Sequence, residues 1–359
     1  MKIDKKLLIS VLILSIFGLL MIYSASNIWS EYKYNDPYKF IKNQLLFFII
    51  GLILIYIITK IDINFIKKNS NNILLICFIL LVLVLIPGIG KVRNGSRSWF
   101  GIGPLGIQPS EFAKLGLIIY TSKYLSSNDK IIKNIKTGLL PLFTIILIFA
   151  LLIMLEPDFG TMMVIILTLS VLIYVSGPNL KFFIKLAMIG LLAITVLIII
   201  APYRMKRIVS FLNPWSDPLG SGFQVIQSLY AISPFSLLGT GFNSSIQKNF
   251  YLPEPQTDFI FSIIAEEFGI IGSIFVITCF AYIFYRSIKI SLKQTDLFKK
   301  YLSFGLSFGI ILQASLNLAV VTNLIPCTGI TLPFLSYGGS SLLISMISIG
   351  LILNISKNW

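Results

Sequence analysis

The 359-residue sequence contains no histidine, only three cysteines, and 14 acidic residues against 29 basic ones. Without histidine there can be no Ser–His or Cys–His catalytic arrangement, no imidazole general base and no His-ligated zinc. Any chemistry must run on carboxylates, Lys, Arg, Tyr, hydroxyls and backbone groups. Cys77, Cys279 and Cys327 lie in or beside apolar runs without pair spacing, so neither a disulfide framework nor a metal site is expected. Charged residues make up only 12% of the chain, and no segment forms an exposed basic domain. The formal charge of +15 therefore does not point to nucleic acid. P-loop and dinucleotide fingerprints are absent as well.

What is plentiful is hydrocarbon. Hydrophobic residues are 56% of the chain, and the mean hydropathy is +0.90. This predicts an all-α integral membrane protein with a single polytopic domain over residues 1–359 and no soluble appendage. About ten apolar runs are long enough to cross a bilayer. They lie near 7–26, 43–59, 73–87, 110–122, 138–154, 160–176, 186–201, 259–285, 303–322 and 334–355. The first lacks a small-residue cleavage site, so it is expected to stay as a span. Lys and Arg concentrate in segments 1–6, 60–72, 123–137, 177–185, 286–300 and 356–359. The positive-inside rule then predicts cytoplasmic N- and C-termini.

With that orientation, the two long connections fall on the outer face. One is 88–109, GIGKVRNGSRSWFGIGPLGIQP; the other is 202–258, between spans seven and eight. In the second, YRMKRIVSFLNPW mixes Arg204, Lys206 and Arg207 with apolar residues, as a short helix at the membrane surface would. SDPLGSGFQ reads as turns, and FQVIQSLYAI as a second short helix with Gln224, Gln227 and Ser228 on its polar side.

The stretch LPEPQTDFIFSIIAEEFGIIGSIFVI, Leu252–Ile277, carries three carboxylates at the start of a membrane span. Such groups are costly in hydrocarbon and usually functional. Pro253 and Pro255 disfavour helix, so Thr257 or Asp258 is expected to cap the span. Asp258 then sits at the membrane–water boundary, as a cap, a catalytic group or both. Glu266 and Glu267 lie two turns deeper, about 12–13.5 Å along the axis. Each is expected to meet a buried Lys, Arg or hydroxyl partner and, with Thr257, to support the surroundings of Asp258. Glu267 is expected to need a hydrogen-bonding neighbour more than a charge.

Other polar groups cluster on the same side. Pro109, Ser110 and Glu111 form a helix-start signal, and Glu111 and Lys114 are spaced to pair. Lys114 needs an anion, either Glu111 or a ligand headgroup. Arg97, Arg204, Lys206, Arg207 and Lys248 could form a basic ring suited to a pyrophosphate, or be separate solvated charges. LEPDFGT puts Glu156 and Asp158 in a tight turn. Before the last span, Gly338-Gly339 among Ser336, Ser340 and Ser341 could expose a helix N-terminus to an anion, or simply pack closely. An outer-face enzyme has no ATP, so group transfer there needs a donor already activated and delivered through the membrane. A lipid-linked pyrophosphate sugar meets that need.

The sequence resembles the SEDS proteins (shape, elongation, division and sporulation), which polymerise lipid II into peptidoglycan glycan strands. The resemblance runs in order through LLMIYSAS, NGSRSWFGIGPLGIQPSEFAKL, EPDFGT, FLNPWSDPLGSGFQVIQSLYAI, YLPEPQTDFIFSIIAEEFGIIG and TNLIPCTGITLPFLSYGGSS. YLPEPQTDFIF and GITLPFLSYGGSS are similar to the FtsW and SpoVE branch more than to RodA. Many members have His at the position of Gln256, so that residue cannot be a required acid or base here. The family often has a Gly-rich turn after Ile232, where this chain has SPFSLLGTG.

The resemblance implies ten spans and an essential aspartate at Asp258. It also implies an inverting glycosyltransferase, with lipid II as substrate, a class B penicillin-binding protein and a division or elongation complex as partners, and membrane lipids around it. The expected substrate-binding set is Arg97, Glu111, Lys114, Arg204, Arg207, Gln247, Lys248, Gln256, Ser336, Gly338, Gly339 and Ser340. Asp258 is expected to act as general base with a near-normal pKa, kept ionised by the helix start and nearby cations. No cofactor is required; a divalent cation could assist at the pyrophosphate, though no ligand cluster compels one. Two rival readings are a lipid II flippase, with Glu111, Lys114, Glu266 and Glu267 lining a path, and a non-catalytic scaffold of the division complex.

Overall fold

The structure is a computed structural model and describes residues 3–93, 95–102, 105–200, 202–233 and 236–358. Each of the ten apolar runs forms a helix, because in hydrocarbon only internal hydrogen bonding satisfies the backbone. The long helices are α1 (Lys5–Tyr34), α2 (Lys39–Lys60), α4 (Ser70–Leu85), α5 (Pro109–Ser127), α6 (Leu140–Leu155), α7 (Phe159–Val175), α8 (Leu180–Ile200), α11 (Ile260–Leu292), α12 (Leu297–Val321) and α13 (Gly339–Ile355). Between them lie the short helices α3 (Ile63–Lys68), α9 (Pro202–Leu212) and α10 (Phe223–Ile232). This is a multi-pass membrane protein. Asp4, Asp62, Asp158 and Asp296 cap helix starts by accepting from backbone N–H groups two or three residues ahead.

α12 is the central helix, packed against α5, α7, α11 and α13. Gly305 and Gly309 let it approach Ile118 of α5 and Thr168 and Leu172 of α7. Pairs α2–α13, α1–α11 and α4–α5 complete the bundle. α8 is peripheral, touching α7 and α9, with Leu180, Ile184, Met188, Leu191 and Leu192 exposed. One end of the bundle carries Asp258. The opposite end is locked by Arg286, which binds Asp4 at 2.5 Å, while the Asp4 N–H donates to Ser356 Oγ.

At the Asp258 end, the bundle departs from pure helix. The connection after α4 folds into a three-stranded antiparallel sheet, β1 (Gly90–Arg93), β2 (Ser96–Ile102) and β3 (Leu105–Ile107). β2 packs on α4 and α5. Segment 202–258 contains α9 and α10 where short helices are expected, but Ser228 is buried and bonds Ser262 and the Val321 carbonyl. It is an inward anchor of α10 and not part of a solvated face.

The eighth span is also not one continuous helix. At Gly269, φ is 60° and ψ −148°, a conformation open only to glycine. The break lets the segment Ser236–Gly241 lay its backbone against α11. Thr240 and Gly241 N–H groups donate to the Glu266 and Glu267 carbonyls, and Ile270 and Ile271 N–H groups donate to Ser236 and Leu237. A Cβ on Gly269 would collide with the Ser236 carbonyl oxygen. Gly269→Ala should therefore cost roughly 1–3 kcal/mol for the backbone conformation alone, and more for the collision. Gly190→Ala, in an open position of α8, should cost nothing. Thermal unfolding of both variants in detergent checks this; equal melting temperatures would show that the break is not structurally required.

Candidate active site at the Asp258 end of the bundle

Thr257 and Asp258 do not cap the eighth span. α11 begins at Ile260 with Phe259 in the cap position and no side-chain cap bond. The reason lies in the backbone before it, which is held from outside. The carbonyls of Gln256, Thr257 and Asp258 accept from Tyr337 N–H (2.8 Å), Ser336 Oγ (2.6 Å) and Asn317 Nδ2 (2.8 Å). Asn317 also binds the Ile330 carbonyl at 2.7 Å, and Ser336 Oγ accepts from Leu332 N–H. Two irregular segments, 256–258 and 330–338, thus fix each other.

Asp258 is half-buried, and a Cβ on Gly329 would lie 3.7 Å from its Oδ2. Burial pushes its carboxyl up to about 6, with the negative charges of Glu254 and Asp158 adding to the rise and Arg207 opposing it. This corrects the near-normal value expected from sequence. Desolvation outweighs Arg207, and the helix start, capped at Phe259, does not rest on this carboxylate. Arg207, on α9, is held by a 2.9 Å bond from Nη1 to the Cys327 carbonyl.

Two further acidic positions flank this centre. Asp158 accepts from Gln108 Nε2 at 2.8 Å and Ser110 Oγ at 3.2 Å besides capping α7. Burial raises its pKa, against the hydrogen bonds that lower it. Glu156 is fully buried with no hydrogen bond to either side-chain oxygen, and burial pushes it up to about 9. It is a neutral acid at pH 7. Lys114 finds its anion within the chain: Nζ lies 2.6 Å from Glu111 Oε2 and 2.6 Å from Gln313 Oε1.

The expected substrate-binding groups divide in the structure. Arg97 is half-buried on β2, and Arg207 lies within electrostatic reach of Asp258. The side chain of Arg204 lies outside the described residues. Gln256 is buried with Oε1 unpartnered; Gln247 lends its N–H to Glu266 at 3.4 Å. Ser336, Gly338, Gly339 and Ser340 are taken up by protein contacts. Gly338 N–H donates to Gln44 Oε1, Ser340 Oγ accepts from Gln108 N–H and donates to Gly106, and a Cβ on Gly339 would strike the Phe47 ring. Gly339 packs closely on Phe47 of α2, and the Gly338 N–H is taken by Gln44.

Lys248 does not join a basic ring. It is buried, with Nζ 2.5 Å from Asn243 Oδ1 and 3.3 Å from Glu267 Oε1. Glu267 also accepts from Ser24 Oγ (2.6 and 2.7 Å) and Ser245 N–H. Glu266 accepts from Ser245 Oγ and the N–H groups of Ile246 and Gln247. The two deep carboxylates therefore latch segment 239–248 onto α11 and α1. Sequence reasoning missed Gln44, Gln313 and Asn317 as organising residues. Their signal was an amide inside an apolar span, with Gln313 and Asn317 one turn apart.

Comparison with known proteins places this geometry. Residues 5–359 match the family described as "Cell cycle protein", comprising FtsW, RodA and SpoVE. The chain belongs to this family. Stage V sporulation protein E of Bacillus subtilis is 49% identical over 354 residues, 99% of this chain and 97% of that one. A protein of Saccharophagus degradans named "Probable peptidoglycan glycosyltransferase FtsW" is 40% identical over 347 residues, 96% of this chain and 90% of that one. A solved chain described under "Structural coordination of polymerization and crosslinking by a peptidoglycan synthase complex" superposes with TM-score 0.81 at 29% identity, covering 99% and 98% of the two chains. RodA of Thermus thermophilus shares the fold, with TM-score 0.71 at 24% identity over 99% and 97%.

In this family member, Glu267 meets the buried Lys and hydroxyl partners expected of it, Lys248 and Ser24, and the charge on Lys248 makes an amide an imperfect substitute. Glu267→Ala should cost about 3–5 kcal/mol, because it strands the buried Lys248 ammonium. Glu267→Gln should also destabilise, and adding Lys248→Met should recover part of that loss. Melting temperatures of the two single variants and the double variant decide it. Strictly additive losses would mean the pair is not coupled.

Proposed function

We propose that this protein is a peptidoglycan glycosyltransferase that polymerises lipid II on the outer face of the bacterial cytoplasmic membrane. The observation that carries the reading is Asp258. It is a carboxylate fixed by three backbone anchors, raised to about 6 and faced by Arg207, in a chain similar over nearly its full length to proteins named for this activity. The acceptor's GlcNAc 4-hydroxyl attacks C1 of the donor sugar with inversion, and undecaprenyl pyrophosphate leaves. Asp258 takes the hydroxyl proton late, as C–O bond formation acidifies it. A pKa near 6 makes it a stronger base than an ordinary aspartate while leaving it about nine-tenths ionised at pH 7. Arg207 is placed to meet pyrophosphate oxygens.

Among the described residues, no group of three or more Cys, Asp or Glu could hold a metal ion. A divalent cation, where the pyrophosphate brings one, would neutralise charge on the leaving group. The excess of basic residues at the opposite end supports cytoplasmic termini, with 202–258 as the extracytoplasmic loop. A class B penicillin-binding protein is the partner this activity needs, because new strands must be crosslinked.

The flippase reading is less well supported. Between Glu266–Glu267 and Arg286 of α11, and throughout 301–321 and 339–355, there is no charged residue. Glu111, Lys114, Glu266 and Glu267 are already engaged with protein partners. The path across the bundle therefore offers hydroxyls and amides but no chain of ionisable groups.

Polymerisation of purified lipid II, by this protein with its cognate class B penicillin-binding protein, tests the proposal. Asp258→Asn should lose at least about 10²-fold in rate, as loss of a general base does. Near-normal activity of that variant would sink the catalytic role. The wild-type rate should fall as pH drops through about 6, where Asp258 gains its proton. Arg207→Ala should weaken lipid II use by roughly 1–3 kcal/mol and move this acid limb to higher pH, because Arg207 holds the pKa down. Unchanged substrate dependence and pH profile would place the anion site elsewhere.

A further inference from the structure

Asn317 is fully buried on α12. Its amide nitrogen spans two carbonyls, Asp258 at 2.8 Å and Ile330 at 2.7 Å. Both partners are acceptors, so the amide can face only one way, with its NH2 group toward them. Among the described residues its Oδ1 has no partner. Buried orphan acceptors are uncommon and call for an explanation. The NH2 end grips two separate segments.

Those segments are the ones that shape the surroundings of Asp258. Ile330 adjoins Gly329, the residue that approaches the Asp258 carboxylate. One turn earlier on α12, Gln313 Nε2 binds the Thr331 carbonyl at 3.0 Å while its Oε1 binds Lys114. The two amides therefore hold consecutive residues of segment 330–331 from one rigid helix. Asp258 itself cannot be placed by its own helix, since α11 starts two residues later. Sites built on helices hold geometry better than sites on loops, and Asn317 transfers the stiffness of α12 to an irregular segment.

We propose that Asn317 is a positioning residue for the glycosyl-transfer step, fixing Asp258 against segment 329–330 through its backbone carbonyl. The inference rests on the glycosyltransferase reading above. Asn317 does not touch substrate and transfers no proton; it acts through Asp258. Freed from this bond, the Asp258 segment would loosen toward water, and its carboxylate would be better hydrated and less well aimed.

The test uses full-length Asn317→Ala and Asn317→Leu with lipid II, measuring kcat, KM, pH profile and melting temperature. The leucine variant keeps the branched four-heavy-atom shape and the alanine variant relieves any crowding, so at least one of the two should fold. The expected result is a kcat loss of at least about tenfold with KM changed less than about twofold. The acid limb of the rate profile should move from near 6 toward the ordinary aspartate range near 4, because hydration relieves desolvation. In an Asp258→Asn background, the same substitutions should cost little further. A kcat loss with the acid limb unmoved, or an equal loss with and without Asp258, would make Asn317 an ordinary packing residue. So would full activity of either folded variant while Asp258→Asn is inactive. Full activity of Asp258→Asn would instead overturn the glycosyltransferase role of Asp258 itself.

Discussion

The site depends on satisfying backbone carbonyls where no helix does it. Residues 256–258 have left the loop but have not reached α11, so their carbonyls have no helical donors. Unpaired backbone groups at this depth cost several kcal/mol each. The chain meets the demand with one donor for each carbonyl, from Tyr337, Ser336 and Asn317. The cost of leaving any one unpaired is what makes the segment rigid. Rigidity here has a functional side, because Asp258 is the last of the three residues. A carboxylate at a free loop tip would be hydrated and mobile; this one is held partly out of water.

A second set of buried groups secures the segment upstream. Glu266 and Glu267 each satisfy their oxygens with donors from 245–248, and Glu267 reaches Ser24 on α1 as well. The break at Gly269 exposes backbone that segment 236–241 then covers. Side-chain and main-chain demands are thus met by the same stretch of loop. The carboxylates contribute no proton transfer in this arrangement. They hold the polypeptide that leads, through Leu252 and Pro255, to Asp258.

Most of the bundle was legible in the sequence because ten apolar runs have no alternative to helix in a bilayer. The Glu111–Lys114 pair was legible for a similar reason, since i,i+3 spacing brings them together on any helix. What could not be read was which residues meet across helices. Lys248 looked like part of a cationic rim because it lies in a long loop; only the packing shows Glu267 beside it. The expected cap at Thr257 or Asp258 came from local preference, and external anchors on 256–258 overrode it. The sheet at 90–107 did have a signal, the Asn94-Gly95 dipeptide between two short runs, which favours a hairpin. Gly338-Gly339 left two readings open, since glycine permits close approach equally to a ligand or to a ring, and the structure shows Gly339 packed on Phe47.

The charge balance around Asp258 follows from that packing. Three acidic groups, Glu156, Asp158 and Glu254, stand on the same end of the bundle, and Arg207 is the cation that acts on Asp258. If all were ionised, their mutual repulsion would disfavour an anionic substrate as well as an ionised base. Burial resolves the conflict unevenly. Glu156, fully enclosed, keeps its proton at neutral pH, while Asp258, half open, sheds most of its own. The outcome leaves a negative charge at Asp258, where proton transfer needs it, and removes one at Glu156, where it would only add repulsion. Desolvation raises both carboxyls, while Arg207 holds Asp258 down and Asp158 pushes Glu156 further up, so neighbouring charges and burial together tune this site.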